Sequence, residues 1–306
     1  MTRPPRNPGL PLGLLAVLAA CAAPSAPATA PPLTAAAPAN ALPAGKGTVL
    51  ADILGTELEL FTYKPASYRG EKMLFVLHGV LRNADEYRDH ACALADRHGM
   101  LVVAPRFDGE RFSSRRYQRG GLLDSAGRAQ APAQWTYAFI PAIAAAMRAR
   151  EELPALPFWV IGHSAGGQFV ARMSAFQSTG AVRHVAANAG SHLFPTRELP
   201  FGYGFGGLPD ELANDEVLQR YLAAPLTLYQ GTADAGPDDY FDTSESAMQQ
   251  GVGRYQRGKA CFEQARALAK AKGWPCAWRL VEADGVAHDH EKMFDHAACA
   301  RALFGD

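Results

Sequence analysis

Gly162-His163-Ser164-Ala165-Gly166 is a G-x-S-x-G pentapeptide, and Gly167 follows it. A serine hydroxyl is a weak nucleophile at neutral pH. It needs a base to take its proton, and the base needs an acid to orient it. The glycines permit a sharp strand-to-helix turn that lifts the hydroxyl clear and aims a helix N-terminus at it. An apolar run, 158–161, leads in and an amphipathic stretch, 168–176, leads out. A plain glycine-rich turn with a buried serine explains the glycines but not those flanks.

The partners follow from chain order. Behind such a turn the acid leaves a late strand and the histidine leaves the last one, in the order Ser, Asp, His. The late strand is PLTLYQ (225–230), and Gly231-Thr232-Ala233-Asp234 leaves it, so Asp234 is the candidate acid. Asp238 and Asp239 compete from a few residues on. The last strand is 278–282, and Gly285-Val286-Ala287-His288 leaves it, so His288 is the candidate base; His290 and His296 compete. A developing oxyanion needs backbone donors. The N–H of Ala165 is one, and the N–H of Val80, after Gly79, is the other. His78 and His163 read as packed histidines that orient these turns.

Other chemistries find little support. His288-Asp289-His290-Glu291 has ligand-type side chains but is one contiguous loop with no partner cluster, so no metal is expected. There is no P-loop and no dinucleotide-type G-x-G-x-x-G after a strand, so no cofactor is expected. The 106–119 segment holds five arginines and two acids, which suits a solvated basic loop or an anionic substrate group.

The elements that must position these residues alternate. Strands are expected at 56–63, 72–78, 100–104, 158–161, 182–188, 226–230 and 278–282. Helices are expected at 85–98, 134–150, 165–176, 256–272 and 290–303. Such alternation means an α/β fold with a mostly parallel central sheet flanked by helices on both faces. The long segments 106–132 and 190–215 are candidate binding loops over the carboxyl edge of the sheet.

The chain has 306 residues, with Lys+Arg and Asp+Glu at 30 each, 48% apolar and 20% charged residues. Zero net charge argues against a nucleic-acid partner. No apolar run is long enough for a spanning helix. The first 21 residues carry Arg3 and Arg6, then an apolar run 10–20, then Cys21. That is the layout of an export signal. Residues 22–46, rich in Ala and Pro, read as a disordered tether. Residues 47–306 form the catalytic domain, with no internal repeat or second domain. Export permits disulfides. Cys92 and Cys299 fall on helices of one sheet face and are the favoured pair, with four free, buried thiols as the equal alternative. A helix between Cys261 and Cys276 would hold them roughly 20 Å apart.

Together HGVLRNADEYRD (78–89), FWVIGHSAGGQFVARM (158–173), AANAGSHLFP (186–195), LYQGTAD (228–234), RYQRGKACF (254–262) and GVAHDHEKMF (285–294) resemble the α/β-hydrolase superfamily. The branch they resemble is that of secreted or lipoprotein poly(3-hydroxybutyrate) depolymerases and feruloyl or acetyl esterases. The resemblance implies Ser164 as nucleophile, Asp234 as acid, His288 as base, and the Val80 and Ala165 amides as oxyanion hole. Ser191-His192 departs from the bulky aromatics of that branch. Leu18-Ala19-Ala20-Cys21 resembles a bacterial lipobox, which implies a lipidated Cys21, a membrane anchor and a place in the cell envelope. The implied reaction is hydrolysis of a small or polymeric carboxylic ester through an acyl-enzyme. An acyltransferase, a peptidase and a non-catalytic binding lipoprotein are the alternatives on the same fold.

Overall fold

The computed structural model describes Met1 and residues 41–305. The export signal, Cys21 and most of the tether lie outside the described residues. The described residues 41–305 belong to one compact unit. It starts earlier than the expected boundary at 47. Leu42 is buried, and its N–H donates to Glu151 Oε1 at 2.8 Å.

Among the described residues, eight strands form one sheet: β1 (Gly45–Ile53), β2 (Thr56–Lys64), β3 (Lys72–Leu77), β4 (Met100–Pro105), β5 (Phe158–His163), β6 (Arg183–Ala187), β7 (Leu226–Gly231) and β8 (Arg279–Ala283). Their spatial order is β1-β2-β4-β3-β5-β6-β7-β8. The β1–β2 and β2–β4 pairs are antiparallel and the rest parallel. β1 is the strand that patterning missed. Its sequence, GKGTVLADI, is poor in large apolar residues, and it pairs with β2 through a tight turn in which Leu54 and Gly55 both have positive φ.

The inner strands bury both faces, so their sequences are nearly all apolar. Met73, Phe75 and Leu77 of β3 join one core layer; Leu74 and Val76 join the other. Helices α1 (Ala84–His90), α2 (Cys92–His98), α10 (His290–Asp295) and α11 (Ala298–Phe304) cover the second layer. Helices α4 (Phe139–Arg150), α5 (Ala165–Phe176), α7 (Asp215–Ala223) and α9 (Arg254–Lys272) cover the first. Short helices α3 (Ser114–Tyr117), α6 (Asp210–Ala213) and α8 (Glu245–Met248) lie in the long loops.

Two expected helices are split. The 85–98 helix breaks at Ala91, whose N–H is shared between the Tyr87 and Arg88 carbonyls. The 290–303 helix breaks at His296, which turns to ψ 138 and accepts the Ala298 N–H on Nδ1. The 134–150 helix begins only at Phe139, because Pro141 cannot sit beyond the first turn. α7 was not anticipated; Asn214 caps it by accepting the Val217 N–H at 3.0 Å. Cys92 and Cys299 do share a sheet face, yet they are not paired: Cys92, Cys261, Cys276 and Cys299 are all free thiols. The Cys92 thiol donates instead to the Arg88 carbonyl.

Candidate active site

Ser164 sits between β5 and α5 with φ 57 and ψ −116. That region is unfavourable for a residue with a side chain and costs about 1–3 kcal/mol. The surroundings hold it there. The Ser164 N–H donates to the Ala187 carbonyl at 3.0 Å. The flanking glycines leave room only because they lack a Cβ. One on Gly162 would lie 2.3 Å from the Gly166 carbonyl oxygen, and one on Gly166 would lie 2.2 Å from that of Leu77. The turn is thus wedged between β3 and its own helix, with the serine partly exposed above the carboxyl edge of the sheet.

Asp234 and His288 meet across 54 residues. His288 Nδ1 lies 2.7 Å from Asp234 Oδ2. Asp234 is 2% exposed and His288 21%, so the pair turns one buried end inward and one open edge outward. Loop stitching sets this register. The Thr232 and Ala233 N–H groups donate to the Ala283 and Val286 carbonyls. Asn188, just past β6 with φ 40, accepts the Gly231 N–H at 2.7 Å and donates to the Ala287 carbonyl at 3.0 Å. Asn188 therefore fastens the acid loop to the histidine loop.

The far oxygen of Asp234 faces Arg254 Nη1 at 3.3 Å, and that guanidinium is 1% exposed. Asp238 is the second partner of Arg254, at 2.8 Å, and Asp239 is exposed, so neither replaces Asp234 beside His288. Sequence reasoning did not single out Asn188 or Arg254. Both lie in the segments that carry the family resemblance, which was the available signal.

The loop after β3 borders the serine. A Cβ on Gly79 would come within 3.8 Å of Ser164 Cβ and 2.7 Å of the Tyr87 hydroxyl. Among the described residues, neither the Val80 nor the Ala165 N–H donates to a protein acceptor. Both belong to segments that border Ser164 and can serve an anionic oxygen there. His78 sits beneath. Its Nδ1 pairs with the Gly79 carbonyl, its Nε2 accepts the Phe107 N–H, and its ring stacks on Tyr117 at 4.7 Å. Burial lowers its pKa to about 3, so it is a neutral post for this loop. His163 is likewise buried. Its Nδ1 faces the Tyr87 hydroxyl at 3.3 Å, its ring lies 4.6 Å from that of His288, and burial holds it well below its ordinary pKa.

Neither competing histidine is the partner of Asp234, although His290 lines the same cavity as Ser164. His296 caps α11. His290 stacks flat on Tyr87, with centroids 3.9 Å apart, and its Nε2 lies 2.9 Å from His90 Nδ1. The 288–291 loop therefore does have a partner cluster, on α1. Ser191 and His192 are buried behind the site, where Ser191 Oγ accepts from Arg172.

A cavity of about 190 Å³ surrounds Ser164 and His288, with Val80, Leu81 and Tyr240 on its rim. Those three are 40%, 65% and 59% exposed, an apolar rim open to solvent. A larger cavity of about 940 Å³, lined by Trp135, Phe176 and Pro225, includes none of the candidate residues. It borders the amino ends of β6 and β7, away from the carboxyl edge where strand-end chemistry is found.

No model of a known protein family matches the chain, and no curated protein does. Solved structures do. Poly(aspartic acid) hydrolase-1 from Sphingomonas sp. KT-1 is 31% identical, with a TM-score of 0.79, over 84% of this chain and 98% of that one. LpqC, a poly(3-hydroxybutyrate) depolymerase from Bordetella parapertussis, is 32% identical, with a TM-score of 0.77, over 84% of this chain and 90% of that one. An S-formylglutathione hydrolase from Staphylococcus aureus shares the fold at 15% identity and a TM-score of 0.51, over 85% and 99%. On this likeness and on its sheet order, the chain belongs to the α/β-hydrolase superfamily, in its poly(3-hydroxybutyrate) depolymerase-like and esterase-like branch, and is a serine hydrolase.

Proposed function

We propose that this protein is an exported, lipid-anchored serine hydrolase that cleaves carboxylic esters with Ser164, His288 and Asp234. The observation that carries the reading is the 2.7 Å contact of His288 Nδ1 with buried Asp234, His288 sharing one cavity with strained Ser164. Asp234 holds the tautomer with the proton on Nδ1, which leaves Nε2 free to accept. His288 Nε2 takes the hydroxyl proton as Ser164 Oγ attacks the ester carbonyl. The Val80 and Ala165 N–H groups bear the oxyanion. Collapse expels the alcohol, which takes the proton from His288 and leaves an acyl-enzyme. Water, deprotonated by the same nitrogen, attacks it; the acid leaves as Ser164 Oγ takes the proton back from His288.

The small cavity suits a short acyl group, and the exposed rim of Val80, Leu81 and Tyr240 suits a chain lying across it. The likeness to a poly(3-hydroxybutyrate) depolymerase supports short hydroxyacyl esters, free or in polymer. Amide cleavage is the second reading, and the likeness to poly(aspartic acid) hydrolase-1 favours it.

Purified wild type and Ser164→Ala, given a fluorophosphonate probe and p-nitrophenyl butyrate, test the chemistry. Labelling and turnover should vanish in the variant. A well-folded wild type that does neither overturns the reading. Parallel incubation with poly(3-hydroxybutyrate) and poly(aspartic acid) separates ester from amide. For the anchor, the support is Arg3, Arg6, the apolar run and Cys21. A Cys21→Ser protein that still partitions with membranes would refute it.

A further inference from the structure

The helix after β3 and the helix after β8 meet at the rim of the active-site cavity. His290, first residue of α10, brings Nε2 to 2.9 Å from His90 Nδ1 and 3.8 Å from Glu86 Oε1. Glu86 and His90 are four residues apart on α1, so one helical face presents both. One donor atom from each of the three lies within 4.8 Å of the others. The arrangement is braced. Tyr87 stacks on the His290 ring with an interplanar angle of 4°. Asn83 Nδ2 donates to Glu86 Oε2, which leaves Oε1 toward the histidines. Glu291 Oε2 lies 3.7 Å from His90 Nε2, a carboxylate on the far side of the ring that favours the proton there and a lone pair on Nδ1. The His90 and His290 side chains are 24% and 17% exposed, so the cluster is shielded but reachable.

We infer that Glu86, His90 and His290 form a binding site for a divalent cation of borderline softness, Zn²⁺ foremost. Two imidazoles and one carboxylate are the donor set that such ions take, whereas Ca²⁺ and Mg²⁺ want oxygen alone. Tetrahedral ligands about 2.0–2.1 Å from Zn²⁺ stand roughly 3.3 Å apart, and the present 2.9 and 3.8 Å bracket that spacing. Small rotations of His290 and Glu86 close the set, with water in the fourth position. Its three ligands are not Ser164, His288 or Asp234, but Glu86 and His290 line the cavity that holds Ser164 and His288. The site joins α1, which follows the Gly79–Val80 turn, to α10, which follows His288, and so clips together the two loops that flank Ser164.

The test uses the untagged full chain, stripped by chelator. Calorimetric titration with Zn²⁺ and visible absorption with Co²⁺ should each report one equivalent bound. His90→Ala and the milder His90→Gln should each weaken Zn²⁺ by at least tenfold and remove the Co²⁺ bands, with unchanged near-ultraviolet circular dichroism. His296→Ala, outside the cluster, should bind as wild type does. The inference is overturned if the folded wild type binds neither ion, or if both His90 variants bind as tightly as wild type.

Discussion

Gly166→Ala probes the wedge that shapes the turn of the candidate nucleophile Ser164. The added Cβ would stand 2.2 Å from the Leu77 carbonyl oxygen, 2.7 Å from its carbon and 2.8 Å from the His78 oxygen. All three are backbone atoms. Relief to ordinary contact, about 3.4 Å, needs roughly 1.2 Å of movement. Leu77 cannot supply it, because β3 is held in register between β4 and β5, with Leu77 opposite Gly162. The start of α5 must move instead, carrying Ser164 and the Ala165 N–H with it. Alanine favours a helix over glycine by about 1 kcal/mol. Overpacking against fixed backbone costs about 1–3 kcal/mol and wins. A displacement near 1 Å at the reacting atoms costs about 100-fold in rate, or about 2.7 kcal/mol of barrier. The assay is kcat on p-nitrophenyl butyrate beside the rate of fluorophosphonate labelling, with the melting midpoint as a check on folding. Both rates should fall about 100-fold while the midpoint drops by only a few degrees. A variant with wild-type kcat would refute the wedge and, with it, the reading that this turn positions the nucleophile.

Two further outcomes follow from buried charge and buried imidazole. Arg254→Met removes a fully buried cation from Asp234 and Asp238 and leaves Asp234 poorly compensated, which should cost about 3 kcal/mol and lower the melting midpoint by roughly 6–12 °C; an unchanged midpoint would show that the pair contributes nothing. Burial lowers the pKa of His78 to about 3, of His184 to about 4 and of His192 to about 3, against 6.5 for the free side chain. The unfolded chain therefore takes up protons first, so this stability is complete above pH 6.5 and is lost as pH falls from there toward 4 and 3. At pH 5.5 each histidine costs about 1.4 kcal/mol, so the three together should lower the melting midpoint by about 10 °C relative to pH 7.5. A midpoint that holds steady across that interval in a thermal scan would contradict the burial of these rings in neutral form.

The sheet and the candidate site were legible to different degrees, for a physical reason. Two-faced burial makes β3, β4, β5 and β7 read as short apolar runs, and each lies within a residue or so of its expected position. The candidate acid and base stand just past β7 and β8, so reading the strands was enough to nominate them. Ser164 was nominated by its glycines together with the apolar run before them and the amphipathic stretch after them. β1 escaped because an edge strand has no such burial to write into its sequence, and its alternation is carried by Thr48, Leu50 and Asp52 among small residues. The split helices escaped because their breaks, at Ala91 and His296, rest on hydrogen bonds that composition does not announce.

What sequence order conceals is contact between distant loops, and here that contact sets the site. An asparagine after a strand is by default a turn residue, yet Asn188 spans to Gly231 and Ala287 and ties together the loops that carry Asp234 and His288. An arginine opening a helix is by default solvated, yet Arg254 lies wholly beneath Asp234, with its charge offset by two carboxylates. The 288–291 loop is the clearest instance. Along the chain it is a lone cluster of ligand-type side chains. In the fold, His290 meets His90 from 200 residues away, because α1 and α10 cover the same layer of core. The parallel sheet makes such meetings systematic. Every β-strand in its parallel part ends at the same edge, so loops far apart in sequence must share that edge. The candidate nucleophile, its candidate partners and oxyanion donors, and the candidate cation ligands all lie on or beside those strand-end loops.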